Sequence, residues 1–209
     1  MIEIKERIDA RGTIIHPLEE QHAKEAMQQA YGKGYRSIAI VLMHGCRYNQ
    51  HEKRIKEIAQ DIGFTKISVS SDIASVMKLI ARGDTTVVDA YLSPVLQGYI
   101  YDLLQKLGHC SLFFMQSNGG LVHAKKFQGK DSIFSGPAGG VIGMVKTSQI
   151  AGFNNVIGFD MGGTSTDVSH FSGEYERVYS CELSNIRLHT PMMLIHTIAA
   201  GRRLSARCC

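Results

Sequence analysis

Apolar positions recur in two rhythms along this chain. Arg36 to Met43 reads Arg-Ser-Ile-Ala-Ile-Val-Leu-Met, an unbroken run that predicts a buried strand. A helical pattern follows. Asn49 stands at the cap, Glu52 at the capping-box position, and Ile55, Ile58, Ala59 and Ile62 form one face before Gly63 stops it. Lys66 to Ser70 reads as a short strand. This β-α-β order predicts parallel strands joined by a right-handed crossover. Upstream, residues 1–15 predict an extended or hairpin segment turning at Arg11-Gly12, and Pro17 to Tyr31 a helix closed by Gly32 or Gly34.

A longer helix is predicted from about Thr85 to Leu107. Val88, Tyr91, Leu92, Val95, Leu96, Tyr99, Leu103 and Leu107 recur at steps of three and four. Asp84 suits its cap, Gly108 its stop, and Pro94 a kink. Leu112 to Gln116 predicts a strand running into Ser117-Asn118-Gly119-Gly120, a turn that calls for positive φ. Ser135-Gly136-Pro137-Ala138-Gly139-Gly140 predicts a second glycine-rich turn, opening a helix over Val141 to Ile150. Glu176 to Cys181 and Met192 to Ala199 read as strands. The alternation argues for an α/β architecture. No internal repeat or low-complexity linker interrupts it, and a weak boundary falls near residues 129–136.

Candidate chemistry concentrates between Ile157 and Val168. A short apolar run ends in Asp160; Gly162, Gly163, Thr164, Ser165 and Thr166 follow, then Asp167 and more β-formers. Glycine lets backbone N–H groups approach a ligand closely. Hydroxyls add donors, and carboxylates hold hydrated Mg²⁺. The segment reads as a phosphate-gripping β-hairpin, although Asp-x-Gly-Gly also suits an ordinary turn. Gly139 and Gly140 fit either an anion site at a helix start or a close helix crossing. Gly119 and Gly120 end a strand, where α/β sheets place ligands, or form a plain turn. His44, His170 and His196 are acid–base candidates, with His196 in an apolar run that favours a buried structural role. Asp89 reads as a paired structural charge.

Composition narrows the classes. With 209 residues and 44% hydrophobic content, the chain holds one large domain or two small ones with a substantial core. The 23 basic and 19 acidic residues leave a formal charge of +4, too mild and dispersed for nucleic acid, and Trp is absent. No apolar run reaches the ~18 residues of a membrane span, and the charged N-terminus is not a secretory signal. Cys46, Cys110, Cys181, Cys208 and Cys209 lack zinc or disulfide spacing and suit a reducing cytoplasm.

Phe159 to His170 closely resembles the signature of the hydantoinase A / 5-oxoprolinase family. So do Met115 to Gly120, Ser135 to Gly140, Pro191-Met192-Met193 running into His196-Thr197, and Arg82 to Leu92. The resemblance runs in order from about Arg7 to Gly201. It implies a partial actin-like ATPase (ribonuclease H-like) fold, a mixed sheet with flanking helices. It divides the chain into a central α/β region over 1–134 and the start of a second actin-like half, with the phosphate hairpin, over 135–201. It implies ATP and Mg²⁺ as cofactors and a cyclic amide such as 5-oxoproline or a hydantoin as substrate; acetone carboxylase subunits are relatives. Asp160 and Asp167 would organise Mg²⁺ through water. The N–H groups of Gly162, Gly163 and Thr164 would bind phosphate oxygens, helped by the hydroxyls of Thr164, Ser165 and Thr166. Gly119, Gly120, Gly139 and Gly140 would line the cleft.

Two departures from the family pattern shape the expectation. The fold clamps its nucleotide between two phosphate hairpins, and Asp160–Asp167 resembles the second; the first has no counterpart here. The family continues His-Thr-(Val/Ile)-Ala-Ala-Gly-Gly-Gly-Ser, whereas this chain reads Gly201-Arg202-Arg203-Leu204 after Ala200. One inserted G turns GGC GGC GGC TCN into GGG CGG CGG CTC, which encodes that tetrapeptide. Residues 202–209 are therefore expected to be an out-of-frame tail. The chain reads as an internal fragment, expected to be inactive alone and to need flanking domains or a second subunit. The alternatives are a non-catalytic remnant and a small-molecule kinase of the same superfamily.

Overall fold

The computed structural model describes residues 1–108, 110–163, 165–183 and 185–199. The tail over 202–209 lies outside them. Backbone packing divides the chain into two units, Met1–Tyr99 and Ile100–Cys209.

The first unit opens with the expected hairpin. β1 (Arg7–Ile8) pairs antiparallel with β2 (Ile14–His16). An Asp9 carboxylate oxygen accepts from the Arg11 and Thr13 amides, both at 2.8 Å, and Gly12 takes φ +93°. Helix α1 (Glu20–Gly32), strand β3 (Ser37–Ile40), helix α2 (Gln50–Ile62) and strand β4 (Lys66–Val69) follow. β3 and β4 are parallel, with Ser37 opposite Lys66 and Ile40 opposite Val69, as the β-α-β order predicts. Ala23, Met27, Ile40, Ile55, Ile58, Ala59, Phe64 and Val69 form the core. Gly63 ends α2 at φ +104°.

Glu52 departs from its expected capping role. Its side chain is fully buried and turns inward, accepting from the Leu42 amide (2.9 Å), the Ser70 hydroxyl (2.5 Å) and the Ser71 amide (3.1 Å). Strand-end amides that would otherwise lie buried without a partner outweigh a cap that water can replace. β3 accordingly ends at Ile40 rather than Met43. Ser70 also begins the short helix α3 (Ser70–Ile73).

Helix α4 (Leu79–Leu107) starts six residues before Thr85, so Asp84 sits inside it, as does Pro94. Its buried face is not the predicted apolar one. Tyr91, Val95 and Tyr99 are exposed, while Arg82, Thr85, Thr86, Asp89 and Ser93 are buried. Pairing permits this inversion. Arg82 donates to the Ser70 hydroxyl (2.8 Å) and to the carbonyls of Val76 (2.9 Å) and Leu42 (2.5 Å). Asp89 meets Lys66 at 3.0 Å and accepts from the hydroxyls of Ser68 (2.6 Å) and Ser93 (3.2 Å), the structural pairing expected of it.

In the second unit, β5 (Phe113–Met115) and β6 (Leu121–His123) form a hairpin around the Ser117–Gly120 turn. Helix α5 (Ser135–Ile150) leads to β7 (Asn155–Met161) and β8 (Ser165–Ser172). β9 (Arg177–Val178), β10 (Cys181–Leu183), β11 (Ile186–Leu188), β12 (Met192–Met193) and β13 (His196–Ala199) complete it. The sheet order β13–β8–β7 is antiparallel; β9 pairs with β12 and β10 with β11. The predicted strand over Met192–Ala199 breaks at Leu194 and Ile195, where the Leu194 amide donates to the Glu176 carbonyl (3.0 Å) and Ile195 enters the core. That core also holds Ala138, Val141, Val145, Phe171 and Met193. His196 is exposed, so the buried role expected for it does not hold. The α/β class stands. Among the described residues the strands form small separate sheets, of which only β3–β4 is parallel. No described helix is long and apolar enough to cross a membrane.

Candidate functional site

The hairpin β7–β8 places its two carboxylates by register. Asp160 lies opposite Asp167, and Met161 opposite Thr166. The Gly162 amide donates to the Ser165 carbonyl at 2.9 Å and closes the turn. That bond occupies the Gly162 donor, so Gly162 serves the turn rather than a ligand. Gly163 sits at the tip with open space beside its Cα. Thr164 lies outside the described residues.

Strand alternation assigns the remaining groups to faces. Asp160 and Asp167 share one face with Gly158, Ser165 and Ser169. Helix α5 covers this face: the Ser169 hydroxyl stands 4.0 Å from the Met144 sulfur. Thr166 points to the other face and is buried, so it does not join Ser165 beside the carboxylates. Thr197 of β13 pairs with Asp167 and donates its hydroxyl to that carboxylate at 2.7 Å. Asp160, Asp167 and Thr197 thus form one row across three strands. Thr197 stands in the motif His196-Thr197, but the sequence alone assigned it no role.

The second glycine-rich segment is helical rather than a turn. α5 begins at Ser135, and Gly139 and Gly140 are its fifth and sixth residues, past the donors that a helix start leaves unpaired. Their value is closeness. A Cβ on Gly140 would stand 3.9 Å from an Asp160 carboxylate oxygen, and one on Gly139 3.8 Å from Met115. The early turns of α5 therefore run beside Asp160 on one side and β5 on the other.

The Ser117–Gly120 turn packs against the same helix. Gly119 has the expected positive φ, +82°, and a Cβ there would collide with Met193 and press on Ile142 of α5. Asn118 accepts from the Gly120 amide at 2.7 Å. Ser117 is the pivot: its hydroxyl donates to the Asp131 carbonyl (2.7 Å) and accepts from the Phe134 amide just before α5 (3.1 Å). The buried Asp131 carboxylate accepts from Gln116 (3.1 Å) and Thr190 (3.3 Å) and pairs with Lys130 at 2.8 Å. Ser117 and Asp131 were invisible as site supports in the sequence because their partners lie far along the chain or on the backbone.

The donor set suits Mg²⁺ bound to a phosphate. Mg²⁺ usually takes one or two carboxylates and completes its shell with water and phosphate oxygens. Among the described residues no cluster of three or more His, Cys, Asp or Glu could hold a metal with protein ligands alone. Two carboxylates opposite each other on one face are the arrangement that a shared cation would relieve. His170 meets Glu176 at 3.0 Å, half-exposed, on the face away from this row.

Comparison with known proteins follows the same residues. A family model described as hydantoinase/oxoprolinase matches residues 82–207, and one described as the hydantoinase/oxoprolinase N-terminal region matches residues 1–63. The chain is 41% identical over 194 residues to a 5-oxoprolinase from Saccharomyces cerevisiae, covering 90% of this chain and 15% of that protein. It superposes on the crystal structure of an ATP-dependent caprolactamase from Pseudomonas jessenii with a TM-score of 0.82 and 29% identity, over 95% of this chain and 30% of the other. Nucleotide-free acetone carboxylase gives a TM-score of 0.79 and 26% identity over 95% and 29% of the two chains. The chain spans about 15% of the length of the first curated relatives it matches.

Proposed function

The chain belongs to the hydantoinase/oxoprolinase family, and from that premise we propose that it is a segment of an ATP-dependent cyclic-amide hydrolase that holds the nucleotide's phosphates. The substrate class is a cyclic amide, 5-oxoproline or a hydantoin. ATP, when bound, supplies the phosphoryl group that turns an unreactive amide oxygen into a leaving group. Asp160 and Asp167 hold hydrated Mg²⁺, and Thr197 orients the Asp167 carboxylate. The Gly163 amide and the Ser165 hydroxyl face the phosphate, while Gly139, Gly140, Gly119 and Gly120 keep side chains out of the cleft. Residues 1–134 form the central α/β region, and residues 135–201 begin the second actin-like half. The reducing cytoplasm is the compartment, a reading that rests on five cysteines without pairing spacing.

One observation carries this reading: Asp160 and Asp167 are held opposite each other beside the glycines of α5. Equilibrium dialysis of Mg·ATP against the full chain tests it. Weak, Mg²⁺-dependent binding is expected, reduced about tenfold or more in Asp160→Asn and in Asp167→Asn, a loss of roughly 1.4 kcal/mol or more. Binding of equal strength in both variants contradicts the reading.

A second reading, a non-catalytic subunit, is favoured by the single Asp-x-Gly-Gly-Thr in the sequence, at Asp160–Thr164. Phosphate release with 5-oxoproline and Mg·ATP tests the subunit reading. No substrate-dependent release from the chain alone is expected, and robust release eliminates the subunit reading.

A further inference from the structure

Helix α5 and strand β7 meet at two points, and each point sets a side chain against a glycine. A Cβ on Gly158 would collide with the Met144 sulfur and stand 2.6 Å from the Ser169 hydroxyl oxygen. The Met144 side chain thus occupies the place that a side chain at 158 would take. At the other point the roles reverse: Gly140 of the helix is bare, and a Cβ there would stand 3.9 Å from an Asp160 carboxylate oxygen. The spacings match. Gly140 and Met144 lie one turn apart on the same helix face, about 6 Å along the axis. Asp160 and Gly158 are alternate residues on one face of β7, about 6.7 Å apart. Val141 and Val145, which follow Gly140 and Met144, are buried in the core and fix the rotation of α5 about its axis.

We propose that Met144 and Gly158 are positioning residues for the phosphate site. Seated together, they set the gap between Gly140 and Asp160 and confine a bound Mg·phosphate to the hairpin-tip side of the carboxylates. The proposal rests on the reading of Asp160 and Asp167 as the groups that hold hydrated Mg²⁺. Gly158 lies opposite Ser169, the next same-face pair inward from Asp160 and Asp167. Met144, over that pair, closes the inner end of the space beside the carboxylates. A glycine inside a strand weakens it and marks a close approach by another element. Alanine there, under a shorter residue at 144, would fill the same volume with a firmer strand. The chain keeps the bulk on the helix instead, as a flexible thioether that fills an irregular gap. A side chain at 158 would push Met144 outward and the early turns of α5 with it, so Gly140 would withdraw from Asp160. Neither Met144 nor Gly158 touches the ligand; both act through this spacing.

Two measurements on the full chain test this. Nuclear Overhauser contacts between the Gly140 α-protons and the Asp160 β-protons report the gap, and equilibrium dialysis of Mg·ATP reports its consequence. Gly158→Ala is expected to lose the contact and to weaken binding about fivefold or more. Adding Met144→Ala removes the side chain that the new methyl meets. The double variant is expected to regain the contact and to bind within about twofold of the unsubstituted chain. It also loses core volume, so its melting temperature stays low while its binding recovers; a purely structural pair would make binding follow melting temperature. Gly140→Ala needs no repacking, and alanine is the better helix former. It is expected to raise the melting temperature and still weaken Mg·ATP binding about fivefold or more, because its methyl enters the gap. Where Gly158→Ala does not fold, the double variant and Gly140→Ala decide. The proposal is overturned if Gly158→Ala keeps the contact or the affinity, if the double variant does not regain both, or if Gly140→Ala binds as tightly as the unsubstituted chain. No Mg·ATP binding by the unsubstituted chain, or equal binding by Asp160→Asn, overturns the phosphate reading and the positioning role with it. The contact is read without ATP, so its loss and return across the variants tell that failure from a failure of the interlock itself.

Discussion

Like charges directly opposite in an antiparallel pair repel, and Asp160 and Asp167 are such a pair. Removing one charge should therefore stabilise the chain in Mg²⁺-free buffer. Asp160→Asn is expected to gain about 0.2–1 kcal/mol there and to lose the stabilisation that Mg²⁺ gives the unsubstituted chain. Thermal melts with and without Mg²⁺ check both halves. Asp9 makes a separate prediction in the N-terminal hairpin. Hydrogen bonds from the Thr13 and Arg11 amides hold its carboxyl below the ordinary value of 3.8. A lowered carboxyl pKa stabilises the folded hairpin above that ordinary value, and the stability is lost as pH falls through the lowered one. Protection of the Thr13 amide, relative to its intrinsic exchange rate at each pH, should therefore fall only in acid. Asp9→Asn, which keeps an acceptor without titrating, should remove that acid step. An unchanged acid step in the variant would contradict the assignment.

Among the elements, the buried network at the strand ends carries the sharpest stability prediction. Glu52 joins α2 to the start of α3 and to the loop after β3, and Ser70 links it to Arg82 of α4. Glu52→Ala leaves the Leu42 and Ser71 amides and the Ser70 hydroxyl without their acceptor and removes a charge near Arg82. A cost of about 3–5 kcal/mol is expected in urea unfolding. A cost below about 1 kcal/mol would show that water replaces the carboxylate. The same network explains what could be read in advance. The β3-α2-β4 unit was legible because Ile55, Ile58, Ala59 and Ile62 repeat at helical spacing and Gly63 has a stop's chemistry. The β7–β8 hairpin was legible because a short apolar run ending in Asp160 precedes its glycines and β-formers follow them. The inward turn of Glu52 and the polar buried face of α4 were not. Both depend on partners such as Leu42, Ser70 and Lys66 that only the fold brings near. Tyr91, Val95 and Tyr99 followed a helical period faithfully, yet period alone does not say which side of a helix meets the core. Ser135–Gly140 looked like a turn because glycine and proline punctuate chains, but Pro137 is well placed in a first helical turn.

For the whole molecule, α5 is the organising element of the second unit. The Ser117–Gly120 turn, the row Asp160–Asp167–Thr197 and the core residues Val141 and Val145 all arrange themselves around it. Family membership and a TM-score of 0.82 to an ATP-dependent caprolactamase place this arrangement within a known α/β fold. The hairpin and its helix are proposed to form a site for Mg·ATP phosphates. The most direct measurement is a titration of the isotopically labelled full chain with Mg·ATP, following backbone amide resonances to about 10 mM ligand so that millimolar affinity is visible. The largest shifts are expected at Gly163, Ser165, Asp167 and the Gly139–Gly140 pair, dependent on Mg²⁺ and absent in Asp160→Asn. Shifts confined to other residues, or a site that responds equally without Mg²⁺ and in the variant, would contradict it.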